Sequence, residues 1–185
     1  DSKIKEIAFR DFLARYFFNA CDKICKGRRG TGYSGIITIN QPGQSILERN
    51  CVIITEEIIE VRCFVGLPAA GRKIKANIAK EMLFMELLEI VDSALYKENI
   101  DLKALHKQID VAEDTEYLRN KLESLNLVSF IGNGSILPRE SGSSDLPMQK
   151  ESAVSFVSPQ DLKVEVNLPH AGKVIGMGIP RGVTL

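Results

Sequence analysis

The sequence predicts an α+β fold, a mostly antiparallel sheet packed by two long helices. Three observations carry this. Apolar residues recur at three- and four-residue spacing over 3–26 and again over 73–98. Short β-branched runs at 34–40, 51–55 and 58–65 lie between them, bounded by turn chemistry. Asn133-Gly134, flanked by apolar runs, is the sharpest hairpin signal in the chain.

The first helix is expected over 3–26. Ile4, Ile7, Ala8, Phe12, Leu13, Tyr16, Phe17, Ala20 and Ile24 line one side, and Gly27 stands where a C-cap would. A strand over 34–40 is closed by Gln41-Pro42-Gly43-Gln44. Residues 51–55 and 58–65 read as an antiparallel pair joined through Glu56-Glu57, and 66–71 reads as a linker. The second helix, 73–98, has its stripe at Ile74, Ile78, Met82, Met85, Leu88, Val91 and Leu95. Leu83, Phe84, Leu87 and Ile90 widen that stripe so far that a buried helix is expected. Asp101 is placed to cap a short helix ending near Ile109, and Asp114 to cap another ending at Asn126. A strand over 127–131 turns at Asn133-Gly134 and returns through 135–137. Residues 139–151 form a long polar loop, and alternation resumes at 153–157 and 162–168. Glycine-rich apolar sequence follows from 172, and the chain ends at Gly182-Val183-Thr184-Leu185 as if inside a strand, which points to a piece of a longer protein.

Composition narrows the function. A hydrophobic fraction of 44%, a charged fraction of 26% and zero net charge fit a globular protein, and no apolar run is long enough to span a bilayer. Cys21, Cys25, Cys51 and Cys63 have only His106 and His170 to complete a zinc site, so reduced, mostly buried thiols in a cytoplasmic protein are expected. Neither histidine falls in a nucleophile or base motif. The Gly176-Met177-Gly178 pair lacks the last glycine of a dinucleotide fingerprint, where Arg181 stands instead. No catalytic residue is assigned.

The charge is unevenly distributed. Residues 23–47 contain Lys23, Lys26, Arg28 and Arg29 and no acid. Residues 61–80 contain Arg62, Arg72, Lys73, Lys75 and Lys80 and no acid. Such runs attract polyanions or are simply solvated surface. The best candidate site is Gly27-Arg28-Arg29-Gly30-Thr31-Gly32-Tyr33-Ser34-Gly35. Its spacing is that of a phosphate-binding loop with Tyr33 at the lysine position, but a helix precedes it and a strand follows, the reverse of the usual context. Successive N–H groups offer an anion nest, Arg28 and Arg29 offer forked donors, and Tyr33 offers a ring to stack on a base. A flexible connection with two solvated arginines is the alternative. Arg72, Lys73, Lys75 and Arg139 complete the expected phosphate or nucleic-acid contacts, and no metal site is expected.

Four segments carry a resemblance. They are Pro42-Gly43-Gln44 with Leu47-Glu48-Arg49; Val65-Gly66-Leu67-Pro68-Ala69 with Gly71-Arg72; Ile136-Leu137-Pro138-Arg139 with Ser141-Gly142; and Gly176-Met177-Gly178-Ile179-Pro180 with Gly182-Val183-Thr184-Leu185. In order and over nearly the whole chain, they resemble the predicted ATPases of the ABC class, cytoplasmic, mostly bacterial proteins distinct from the transporters. The resemblance implies an N-terminal accessory domain over 1–158 and the first strands of an ABC-type ATPase core over 159–185, ending before the Walker A loop. ATP and Mg²⁺ would then belong to the parent protein, and this chain alone would be inactive. Its partners would be the remainder of its own core, RNA or DNA, and a second copy in the parent, with no membrane. Where the family has lysine in the 27–35 loop, this sequence has Tyr33. That departure argues against the loop holding a nucleoside triphosphate. A regulatory phosphate site and a purely structural role stay open beside nucleic-acid binding.

Overall fold

The computed structural model describes residues 2–182. The chain forms two compact units, Asp1–Ile109 and Asp110–Leu185. The fold is α+β, with every strand pair antiparallel.

In the first unit, α1 (Lys3–Ile24) buries Ala8, Phe12, Leu13, Phe17, Ala20 and Cys21, the side its spacing predicts. The chain turns away after Cys25, and Gly27 takes φ +78°. Three two-stranded pairs follow in place of one sheet. β2 (Val52–Ile54) pairs with β3 (Ile59–Val61) across the expected Glu56-Glu57 turn. The run at 58–65 does not continue as one strand. Its end, β4 (Phe64–Val65), pairs instead with β1 (Ile37–Thr38). The expected linker at 66–71 contains β5 (Ala69–Ala70), which folds back on β6 (Lys73–Ile74) through Gly71 at φ +58°.

The predicted 73–98 helix is shorter and differently aimed. It runs as α2 (Ala76–Glu81), a π-helical turn (Met82–Glu86) and α3 (Leu87–Leu95). A π turn inserts extra arc into the helix, so apolar residues on either side of it no longer share one stripe. The buried stripe is Ala79, Met82, Glu86, Ile90 and Ala94. Leu83, Phe84, Met85 and Leu88 face solvent, with Phe84 and Met85 each 65% exposed, which corrects the reading of this helix as buried all round. The core joins Phe12, Leu13, Phe17 and Cys21 of α1 to Ile37, Val52, Met82, Ile90 and Leu105. Within it Asp11, fully buried, accepts from Arg15 Nε at 2.7 Å, Arg49 Nε at 3.0 Å and Gln108 Nε2 at 3.2 Å. Burial of a carboxylate is tolerated because three donors satisfy it.

Asp101 caps a helix as predicted, accepting the N–H groups of Lys103 and Ala104 at 2.9 and 3.1 Å. That helix, α4 (Leu102–Leu122), does not stop near Ile109, because nothing from 109 to 114 breaks helical geometry. Asp114 is therefore an interior helical residue and caps no helix of its own.

The second unit contains a three-stranded sheet in the order β7-β9-β8, from β7 (Leu127–Gly132), β8 (Lys163–Leu168) and β9 (Gly172–Pro180). The Asn133-Gly134 turn forms, with Gly134 at φ +85°, but β7 pairs with β9 and 135–137 makes no strand. Residues 153–157 also form no strand. Phe156 instead exchanges backbone hydrogen bonds with Gly134 and Ser135. Gly176 and Gly178 lie on the central strand. A Cβ on Gly176 would sit 2.2 Å from the Ile131 carbonyl oxygen, and one on Gly178 2.8 Å from Val164 Cγ2. Strand packing explains this pair without any phosphate. The strand expected at the chain's end falls on 183–185, outside the described residues.

Candidate functional site

The 27–35 loop is held from beneath by β4 and the β5–β6 hairpin, all in the first unit. Gly35 N–H donates to Gly66 O at 2.6 Å, and Gly66 N–H to Ile36 O at 2.8 Å. A Cβ on Gly66 would meet Tyr33 O at 1.9 Å, and one on Gly30 would meet Ala69 O at 2.5 Å. Only glycine permits these approaches. Lys75 Nζ reaches across to Arg29 O at 3.3 Å. The basic stretches around Arg28 and Arg72, some forty residues apart in sequence, are thereby brought together.

Arg29 is not a free anion fork. Its Nη1 and Nη2 each donate to a Glu86 carboxylate oxygen at 2.6 Å, and Nη2 also reaches Gly35 O at 3.2 Å. Glu86 is 3% exposed. The hydrogen bonds that Arg29 donates to Glu86 raise its guanidinium above its ordinary value, against the opposing effect of burial. Lys26 is likewise engaged, with Glu81, a pairing that raises the lysine and lowers the carboxyl. The N–H groups of Arg29, Ser34, Gly35 and Ile36 bond backbone carbonyls, so much of the expected nest is closed.

The remaining loop groups point outward. Arg28, Thr31, Gly32, Arg72 and Lys73 are exposed, and Ser34 is buried. Arg28, Arg72, Lys73 and Lys80 have no ion-pair partner among the described residues. Tyr33 is 67% exposed and Phe64 51% exposed, and their rings meet edge to face with centroids 5.9 Å apart. Phe64 carries no local signal in the sequence, because nothing in its alternating run marks the switch from pairing with β2 to pairing with β1. Arg139 belongs to the second unit, in a loop where it bridges to Pro147 and lies 3.6 Å from Asp145.

This geometry does not fit a nucleoside-triphosphate cradle. The loop has tyrosine for lysine, leads into β1 instead of a helix N-terminus, and has its half-buried Arg29 guanidinium neutralised by Glu86. What it leaves exposed is a set of cations without ion-pair partners among the described residues, and one pair of aromatic rings.

The first unit is thus an α+β unit whose 27–35 loop and β5–β6 hairpin present exposed cations. The family described as ATPase of the ABC class N-terminal matches residues 1–98, and the P-loop domain of the ABC ATPases matches residues 101–185. The chain belongs to the ABC-class ATPase N-terminal family. Comparison with curated proteins gave no match. Among the described residues, no helix is long and apolar enough to cross a membrane. The four cysteines are free thiols, with Cys21 and Cys51 buried.

Proposed function

We propose that the first unit is a polyanion-binding accessory domain that grips RNA or DNA, while ATP and Mg²⁺ are handled by the P-loop core of the parent ABC-class ATPase. One observation carries this reading: the 27–35 loop and the β5–β6 hairpin lie against each other, which brings the stretches holding Arg28, Arg72 and Lys73 together, and the same unit exposes the Tyr33–Phe64 ring pair. Cations neutralise phosphates without regard to sequence, and exposed rings stack on unpaired bases. A duplex, whose bases are already stacked, uses only the cations. ABC-type cores work in pairs, and by that analogy the parent is a cytoplasmic dimer.

Filter binding at low salt tests the proposal with matched single-stranded and duplex oligonucleotides. Tyr33→Ala should weaken single-strand binding by about 1–3 kcal/mol. It should leave duplex binding and thermal stability almost unchanged, since the ring is mostly exposed. Absence of binding to either form would overturn the proposal.

A further inference from the structure

We propose that Asp110, Glu113 and His170 in the second unit form a site for a divalent transition-metal ion, with zinc as the reference case. The two carboxylates lie three residues apart on α4, one above the other on the same helix face. His170 comes from the tip of the β8–β9 hairpin, between Leu168 and its partner Gly172, which takes φ +68°.

The tip is fixed independently of the imidazole. Asp114, buried on α4, accepts the backbone N–H of His170 at 2.9 Å and of Ala171 at 2.8 Å. The helix thus holds the turn through one carboxylate and faces the ring with two others. His170 Nε2 lies 2.9 Å from Glu113 Oε2, and Nδ1 lies 3.4 Å from Asp110 Oδ1. One donor atom from each of the three residues falls within 4.8 Å of the others. Donors about 2.0–2.2 Å from a shared zinc ion lie roughly 3.0–3.5 Å apart. Because the two carboxylates face different ring nitrogens, rotation of the imidazole together with the carboxylates brings the three donors onto one ion.

The donor types select the ion. Two carboxylates balance a divalent charge when the imidazole is neutral. Imidazole favours zinc and its transition-metal neighbours over magnesium and calcium, which take oxygen ligands. Three protein ligands leave coordination positions for water. His170 and Glu113 are only partly covered, so the site is open to solvent.

Calorimetric titration of the full 185-residue chain with zinc chloride tests this, alongside Glu113→Gln and His170→Gln. Circular dichroism confirms that each variant is folded, and the isosteric Glu113→Gln guards against a turn lost in His170→Gln. The expected result is one equivalent bound by the wild type, with affinity reduced roughly tenfold or more in either variant. Cobalt substitution should give a spectrum without thiolate charge-transfer bands. No zinc binding by the wild type, binding unchanged in both folded variants, or a cobalt–thiolate spectrum locating the ion on the cysteines would each overturn the proposal.

Discussion

Arg29 and Glu86, 57 positions apart in sequence, meet through two parallel hydrogen bonds of 2.6 Å. The pair ties the glycine-rich loop to the π turn between α2 and α3. It anchors a loop with four glycines, and it leaves the loop's most buried cation engaged with a carboxylate. Arg29→Met leaves the Glu86 carboxylate buried without its partner and should destabilise the chain by about 3 kcal/mol. Arg29→Met combined with Glu86→Met should recover most of that loss. Urea denaturation measures both, and a neutral single variant would refute the structural role given to the pair.

Gly66→Ala should disturb the same loop from the other side. The added Cβ would overlap the Tyr33 carbonyl oxygen at 1.9 Å, a backbone contact that no side-chain rotation relieves. Overpacking of this kind costs roughly 1–3 kcal/mol. Gly43→Ala, where nothing lies within 4 Å, should be nearly silent and serves as the control in thermal melts.

Cys21 gives a prediction in pH. Burial, with smaller contributions from neighbouring Cys63 and Cys25, pushes its thiol up from 9.0 to about 12. A raised folded-state value means the stabilising contribution is fully present below pH 9 and is lost as pH rises from there towards 12. Native Cys21 should therefore be alkylated far more slowly than the same residue in urea at pH 8.5, because the thiolate is the nucleophile. Mass spectrometry of iodoacetamide-treated peptides checks this. Equal rates in the two states would contradict the burial argument.

Asp114→Ala should loosen the β8–β9 turn. The lost carboxylate bonds two backbone N–H groups, and hydrogen bonds to a charged acceptor contribute about 1.5–3 kcal/mol each. Hydrogen exchange should quicken at His170 and Ala171 before it does in β7. Unchanged protection at the turn would count against the assigned role.

The helices were legible where the pattern was regular. In α1 the three- and four-residue spacing of Phe12, Leu13, Phe17 and Ala20 named the buried side correctly, and the Asp101 cap followed from its position alone. The second helix departs from its pattern because sequence periodicity assumes 3.6 residues per turn throughout. The π turn at Met82–Glu86 breaks that assumption, puts Glu86 into the core and turns Phe84 and Met85 outward. Asp114 showed a different limit. Its type suited a cap, but the groups it satisfies lie at His170 and Ala171, beyond any local reading. At the candidate site, Tyr33 and the cations were visible as residue types. That Arg29 would be neutralised, and that Phe64 would stand beside Tyr33, depended on long-range pairings that spacing does not encode.

The most direct test of the central claim, that two separated basic stretches act as one anion-binding surface, is the salt dependence of oligonucleotide binding. Fluorescence anisotropy of a labelled single strand would compare the wild type with the combined Arg28→Ala, Arg72→Ala and Lys73→Ala variant. Each phosphate contact contributes about 0.7 to the slope of log affinity against log salt for a single strand. The wild type should bind at low salt, and the triple variant should lose roughly 2 from the magnitude of that slope while melting at the same temperature. A wild type that does not bind, or a triple variant with unchanged affinity and slope, would contradict the account.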